Sequence, residues 1–181
     1  MGLDQYLNRH SYVQNWSHQA PEQKHKITVR KNNKIRKDIK PERISYIVEK
    51  IGYWRKFNAL HSWFVQNCAD GEDNCKSVYI EKSSFIELLD TLRKVKDSLD
   101  KSPKKFVKVE SGWANGQKTF EDVEVFEDVS VAKELLPTQS GFFFGGTEYD
   151  KWYYDDVVET IKIIEEVVAD ETGEYYYQAS W

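Results

Sequence analysis

"KKFVKVESGWANGQKTFEDVEVF", residues 104–126, is the stretch that decides the fold class. Apolar and polar residues alternate on both sides of Asn115-Gly116, and this dipeptide favours the tight turn of a β-hairpin. A hairpin joins antiparallel strands, which do not belong to a regular alternation of parallel strands and helices. The sequence therefore predicts an α+β fold with a β-hairpin insertion near 104–126, reaching to residue 128.

The rest of the chain supplies more strands and several helices. Alternation of apolar and polar residues predicts strands, and apolar residues repeated at helical spacing predict helices. The expected strands are 3–10, 26–32, 42–51, 77–81, 141–146 and 173–181, and the expected helices are 53–68, 84–99, 131–136 and a last one that follows Thr147. Because these elements do not alternate regularly, we expect a single domain over residues 1–181, with an antiparallel or mixed sheet packed against two or three helices.

Two of the helices carry the apolar stripes expected to form the core. Ser84 with Glu87 forms a capping-box pattern at the start of the first, and Thr147 with Asp150 does so at the start of the last. The expected buried residues are Phe85, Leu88, Leu89, Leu92, Val95 and Leu99 in one helix, and Tyr154, Val157, Val158, Ile161, Ile164 and Val168 in the other.

The charge balance limits the partners. The 181-residue chain has a net charge of −4, which disfavours duplex nucleic acid because phosphate neutralisation dominates binding to it. Residues 24–43 nevertheless hold nine Lys and Arg against two Asp and Glu. Such a run is either a solvated face or a contact for a phosphorylated ligand or an acidic partner. Association into a homo-oligomer stays open.

The sequence carries no signal for a membrane or a cofactor. No apolar run approaches the ~20 residues that span a bilayer, and the first ten residues lack the apolar segment of a signal peptide. We therefore expect a cytoplasmic protein without a membrane partner and with Cys68 and Cys75 as free thiols. No nucleotide-binding loop is present, and Cys75 replaces the glycine that a calcium loop over 70–81 requires. We expect no cofactor and no metal.

Residues 53–68 hold the first candidate ligand-binding side chains. On the predicted helix, Trp54, Asn58 and His61 fall on one side by their spacing of four and three residues. An indole, an amide and an imidazole in line could hold a ring and its polar edge, while Arg55 could reach an anion at the pocket edge. Because His61 also lies on an apolar stripe, the alternative is a core histidine with a hydrogen-bond partner.

Residues 139–150 hold the second set of candidates. We expect "GFFFGG", 141–146, to be a buried strand whose glycine-rich end aims polar residues at the same pocket. Acidic residues at the start of the following helix oppose a phosphate, and together with Asp155 and Asp156 they could hold a cationic group or a metal, or serve only to cap the helix. The candidates here are Gln139, Ser140, Thr147, Glu148 and Asp150.

Four segments together resemble an uncharacterised family of small proteins encoded by bacteriophages and bacterial mobile elements. They are "MGLDQYL" at residues 1–7, "GYWRKFNALHSWFV" at 52–65, "ELLPTQSGFFFGGTEYDKWYYDD" at 134–156 and "YYYQASW" at 175–181. The resemblance implies a phage or prophage setting and an accessory role, such as countering host defence by binding a nucleotide signal or a host protein. It implies no catalytic residues.

Three functions are open at this point. The first is binding of a small, nucleotide-like ligand in an aromatic and polar pocket, which would sequester a host defence signal. The second is an acidic module that inhibits a host protein, with Glu121, Asp122, Glu124, Glu127 and Asp128 on one exposed face. The third is a nucleotide-directed hydrolase in which His61 works with Glu148 or Asp150. No motif identifies catalytic residues, so whether the protein is an enzyme is open too.

Overall fold

A four-stranded antiparallel sheet supports the fold in the computed structural model, which describes residues 2–114 and 117–181. In chain order the elements are β1 (Asp4–Tyr12), β2 (Arg30–Lys31), β3 (Lys34–Ile35), β4 (Tyr46–Arg55), α1 (Asn58–Cys68), β5 (Val78–Ile80), α2 (Lys82–Lys101), β6 (Lys104–Ala114), β7 (Gln117–Phe126), α3 (Ser130–Leu135), α4 (Lys151–Ala169) and β8 (Glu174–Ser180). The main sheet has the order β4-β1-β8-β5, while β2–β3 and β6–β7 form separate two-stranded sheets. The expected α+β class and single domain are confirmed.

The helices pack against one face of the main sheet. Alternate residues of β1 and β8, such as Leu7 and Tyr177, are buried on that face, as the period of two in a strand requires. The predicted stripe of α2 is confirmed, since all six of its residues are buried. On α4 the buried residues are Tyr153, Val157, Thr160, Ile161, Ile164 and Val167, so the predicted Tyr154, Val158 and Val168 lie beside the stripe instead.

Several predicted boundaries are wrong by a few residues. The strand expected at 42–51 runs over Tyr46–Arg55, so the helix expected from residue 53 begins only at Asn58. The helix expected from a cap at Ser84 begins at Lys82, and Ser84 lies inside its first turn. Of the strand expected at 26–32, only Arg30–Lys31 pairs, with Lys34–Ile35, because this exposed segment has no core to pack on.

The predicted hairpin insertion is confirmed. β6 and β7 pair antiparallel from Lys104–Phe126 to Ala114–Gln117, although the Asn115-Gly116 turn on which the prediction rested lies outside the described residues. A single bridge between Val125 and Asp150 ties the hairpin to the start of α4. The hairpin therefore stands beside the segment that leads into α4.

The "GFFFGG" stretch is not the buried strand that we expected. Phe144 N–H donates to Gly141 O at 3.1 Å, which closes a turn. The Phe142 side chain is 96% exposed and packs edge-on against Phe143 with the ring centroids 4.9 Å apart. Of the three phenylalanines, only Phe144 is buried, where its ring meets the His61 ring at 5.3 Å. A turn spreads consecutive side chains in different directions, so one ring enters the core and one is left in solvent.

Candidate functional site

A cleft of about 680 Å³ lies where the end of β4, the start of α1 and the start of α4 come together. Its volume falls within the range of small-molecule sites. The lining residues are Arg55, Lys56, Phe57, Asn58, Glu121, Thr138, Gly145, Gly146, Glu148, Asp150, Trp152, Tyr153, Asp155 and Asp156. Four of the predicted ligand-binding residues are therefore brought together here: Arg55, Asn58, Glu148 and Asp150.

One wall of the cleft is a loop that is held by Asn58, the first residue of α1. The buried Asn58 amide nitrogen donates to Phe144 O at 3.0 Å and to Gly146 O at 2.7 Å, and its oxygen accepts from Gln139 N–H at 2.8 Å. All three hydrogen-bonding partners on the loop are backbone groups, so Asn58 fixes the backbone conformation of the loop rather than its side chains. A positioning role for Asn58 thus accounts for its burial.

The same loop approaches the β4–α1 junction very closely at Gly145. Gly145 has φ +88°, and a Cβ added there would lie 2.9 Å from Lys56 Cβ. Lys56 itself has φ +64°, a left-handed conformation that is uncommon outside glycine. Only a residue without a side chain fits at position 145, because both the backbone conformation and the contact exclude Cβ.

The opposite wall is acidic and begins with the cap of α4. Asp150, not the predicted Thr147, is the N-cap: its Oδ1 accepts from Tyr153 N–H at 3.0 Å. Burial raises the pKa of Asp150, and hydrogen bonds from the backbone N–H groups of Tyr153 and Trp152 partly oppose that rise. Thr147 is exposed and its N–H donates to Glu148 Oε2 at 2.9 Å. The carboxyl groups of Asp150 and Glu148 therefore lie at the same edge of the cleft.

Asp156 is the titratable group that stands out in the cleft. Burial raises its pKa to about 7, and the negative charges of Glu159, Asp155 and Asp150 add to the rise. The negative charge of Asp155 is partly neutralised by an ion pair with Lys151, one helical turn before it. A carboxyl group that exchanges its proton near neutral pH inside a cleft is typical of ligand-binding and acid–base sites.

Replacing Asp156 with asparagine is expected to make stability less dependent on pH. The folded-state pKa lies above the unfolded value, so the folded state binds the proton more tightly and wild-type stability falls as pH rises from about 4 to about 7. We expect D156N to gain about 2 kcal/mol relative to wild type between pH 4.5 and pH 8, half of the value for a fully buried carboxyl because the site is partly open.

Urea unfolding at both pH values measures this difference, with E171Q as the matched control. Glu171 is exposed in the turn between α4 and β8, and its removal changes the net charge equally. Parallel pH profiles for wild type and D156N would show that Asp156 titrates normally.

Trp54 does not line the cleft, and its predicted place on a helix is wrong. Because β4 continues through Arg55, Trp54 points into the core, where it is 2% exposed. Its Nε1–H donates to Thr160 Oγ1 of α4 at 2.9 Å. The strand ends between Trp54 and Asn58, so the three residues Trp54, Asn58 and His61 do not lie on one side of a single helix.

His61 is a core histidine, the alternative given for it above. It is 1% exposed, and its Nδ1 lies 2.9 Å from the Tyr177 hydroxyl, which donates to Gln5 Oε1 at 3.0 Å. Gln5 Nε2 donates in turn to Phe57 O, so the directions of the three bonds place a proton on His61 Nδ1. This chain links β1, β8 and α1 through the core.

The carboxylate beside His61 is that of Asp73, not Glu148 or Asp150. Asp73 Oδ2 lies 3.1 Å from His61 Nε2, but within the described ranges no group is in line to hydrogen-bond that nitrogen. Together they line a pocket of about 20 Å³, room for a single water, apart from the larger cleft. The pairing required for the hydrolase hypothesis is therefore not formed, because His61 faces the loop after α1 while both predicted partners face the cleft.

The remaining predicted residues lie outside the cleft. Gln139 and Ser140 are exposed on the loop, and only the backbone of Gln139 takes part through its bond to Asn58. Lys56, Glu121, Trp152 and Tyr153 line the cleft although they were not among the predicted binding residues, and Asp156 was named only together with Asp155 as an acid that could hold a cation. The adjacent acids Asp155 and Asp156 could be read from the sequence, but the burial of Asp156 depends on how α4 packs.

The acids of the hairpin do not gather on one exposed face. Consecutive strand residues point to opposite faces, so Glu121, which lines the cleft, and Asp122 are separated. Lys104 neutralises Glu124 at 3.0 Å, and Lys105 lies 4.0 Å from Glu127. The arrangement expected for an acidic interaction module is thus not formed.

Comparison with protein-family models, curated proteins and solved structures finds no match. None of the helices in residues 2–114 and 117–181 is long and apolar enough to cross a membrane. Over the same ranges no three His, Cys, Asp or Glu side chains are placed to share a metal ion. Cys68 and Cys75 are both free thiols, and burial raises the pKa of Cys68.

Proposed function

We propose that the protein binds a small ligand that carries a positive charge in the cleft between the starts of α1 and α4. The observation that carries the proposal is the raised pKa of Asp156 in a cleft of small-molecule size. A carboxyl that is costly to ionise in the free protein gains most from a cation placed beside it.

The charges of the lining support a cationic ligand over a phosphorylated one. The cleft has five carboxyl side chains, those of Glu121, Glu148, Asp150, Asp155 and Asp156, against Arg55 and Lys56. A phosphate would be repelled by this negative field, most of which lies at the start of α4. The nucleotide-like ligand expected from the sequence is therefore less favoured in this cleft than an amine or a guanidine. Trp152, which is half exposed, offers a ring over which such a group can lie.

Isothermal titration calorimetry with spermidine and arginine as cationic probes, and with linear and cyclic nucleotides as anionic ones, tests the proposal. We expect a cationic probe to bind and to release a proton from Asp156, so that its affinity rises with pH. If only the ionised carboxyl binds, a pKa of about 7 gives about a tenfold gain in affinity between pH 6 and pH 8.

Matched variants localise the binding. D156N and E148Q are expected to weaken the affinity and D156N to remove its pH dependence, while E171Q, with the same change in net charge, leaves both unaltered. If E171Q weakened the affinity for the cationic probe as much as D156N does, the loss would be due to the change in net charge and not to the cleft. Binding of a nucleotide that strengthens as the pH falls would contradict a cationic ligand.

We also propose a biological setting, which rests on the resemblance to phage-encoded proteins alone. In a bacterial host cytoplasm, a protein that holds a small molecule without turning it over would act by sequestration. Expression in a bacterium, with and without D156N, followed by a phage-plating assay measures this: equal plating with both forms would oppose a role for the cleft in countering host defence.

A further inference from the structure

The face of the main sheet that points away from the helices is lined by tyrosines. Buried residues of β1, β4 and β8 alternate with these tyrosines along each strand, as in Leu7, Trp54 and Tyr177, so the tyrosines point the other way. Each is partly exposed, and the set consists of Tyr6, Tyr12, Tyr46, Tyr53, Tyr79 and Tyr176. These six aromatic side chains lie on the face opposite to the core, so packing of the core does not account for them.

Five of the rings on this face form a continuous row that crosses all four strands. Tyr12 meets Tyr46 with ring centroids 5.1 Å apart, and Tyr46 meets His10 at 6.0 Å. His10 lies 4.3 Å from Tyr176, which lies 5.6 Å from Tyr79 on β5 at the far edge. We call these five residues the aromatic row.

The basic segment, residues 24–43, is attached at one end of the aromatic row. The chain leaves β1 after Tyr12 and returns to β4 at Tyr46, and Val13 N–H donates to Ser45 O at 2.9 Å across this exit. Asn15 then exchanges two 2.8 Å hydrogen bonds with the backbone of His25, which holds the start of the basic segment near the exit.

The positive charges of the basic segment are largely uncompensated. Among the described residues, Arg36 is the one of its nine Lys and Arg that has an ion-pair partner, the exposed Asp38. The sheet face beside it adds no positive charge, since it carries Asp4 and Glu174 against Lys50. Attraction for a polyanion would therefore come from the basic segment, at the end of the row.

We propose that the aromatic row and the basic segment bind single-stranded nucleic acid. Proteins that bind single strands combine positive charge along the backbone with aromatic side chains on which successive bases stack. A duplex offers no exposed base faces to such a row, which agrees with the unfavourable net charge for duplex binding. This site is separate from the acidic cleft and does not depend on the function proposed for it.

Fluorescence anisotropy with a labelled 12-nucleotide single strand of mixed sequence, as RNA and as DNA, tests the proposal at 50 and 200 mM salt. We expect binding at 50 mM salt that is at least about tenfold tighter than that of a duplex of equal length. Y46T and Y79T are each expected to weaken it by about fivefold or more, because a stacking ring is lost from a strand position. Y46F and Y79F retain the ring and are expected to bind like wild type.

Two further variants separate stacking from charge. F106T removes an exposed ring from the separate hairpin and is expected to leave the affinity unchanged. The double variant K31Q/K34Q, in the exposed β2–β3 turn, is expected to lower the slope of log affinity against log salt concentration by about 1.4, the value for two lost phosphate contacts. Because this turn contributes nothing to the core, the double variant tests the proposal even if a Thr variant unfolds.

Three results would overturn the proposal. One is the absence of binding at 50 mM salt. Another is equal binding by wild type, Y46T and Y79T with circular dichroism showing all three folded, which reduces the interaction to charge alone. The third is a concentration-dependent dimer in sedimentation that the same Thr substitutions abolish, which assigns the face to a second copy of the chain.

Discussion

Asn58→Ala is expected to destabilise the protein by about 4 kcal/mol and to free the loop that forms one wall of the cleft. The substitution removes three hydrogen bonds and leaves the carbonyls of Phe144 and Gly146 and the N–H of Gln139 without their side-chain partner. A buried polar group left unpaired costs about 1–3 kcal/mol, and water reaching the exposed Gly146 and Gln139 reduces the total.

Asn67→Ala is the matched control, since it removes an amide from the same helix. Asn67 makes one hydrogen bond, to Trp63 O at 2.8 Å, and is not buried. We expect a loss of about 1 kcal/mol in urea unfolding. Chymotrypsin supplies the second measurement: cleavage after Phe142, whose side chain is already exposed, should quicken in N58A and stay unchanged in N67A. Equal stability of the two variants would mean that the loop is held by other contacts.

Tyr177→Phe is expected to cost about 3 kcal/mol because it breaks the buried chain at its middle. Without the hydroxyl, Gln5 Oε1 loses its donor and His61 Nδ1 loses its acceptor, and both side chains are fully buried. Burial holds the pKa of Tyr177 well above its ordinary value, so the hydroxyl keeps its proton and the loss should not vary with pH through tyrosine ionisation.

Tyr79→Phe provides the comparison for that result. It deletes a hydroxyl from the neighbouring strand on the exposed side of the same sheet, where we expect a change within about 0.5 kcal/mol. Thermal unfolding followed by circular dichroism measures both variants. A loss below 1 kcal/mol in Y177F would show that the core rearranges to pair Gln5 and His61 again.

Local sequence patterns were sufficient to predict an element and its buried face where one face of that element packs on the core. The spacing of Phe85, Leu88, Leu92 and Val95 predicted the buried side of α2 because a long amphipathic helix has one possible orientation toward a core. The hairpin was predictable for a similar reason, since alternation on both sides of a turn dipeptide allows one pairing.

Patterns failed where two local signals competed. Thr147 and Asp150 can both cap a helix, and the choice fell to Asp150, whose backbone also bridges to Val125 of the hairpin. Trp54 suits a strand as well as a helix, and pairing of β4 with β1 decided for the strand. Neither tertiary contact is visible in a short window of sequence.

The cleft itself was only half predictable. Arg55 and Asn58 were expected beside Glu148 and Asp150 because both segments were rich in polar residues next to glycine or aromatic ones. The proton affinity of Asp156 depends on burial and on three neighbouring acids, and the hydrogen bonds of Asn58 reach residues more than 80 positions away. Such properties arise only when distant segments are packed.

Because the side-chain amide of Asn58 holds the loop that forms one wall of the cleft, the loop can be re-engineered apart from the rest of the protein. The floor of the cleft belongs to a sheet and helices that share the core, whereas the wall between Thr138 and Gly146 is a loop whose side chains, apart from Phe143 and Phe144, are mostly in solvent. Provided that Asn58 and Gly145 are kept, libraries with randomised residues at 139, 140 and 147 should fold, because loop positions outside the core tolerate substitution. Selection from such libraries could add ligand contacts at the edge of the cleft while the lining and the scaffold stay the same.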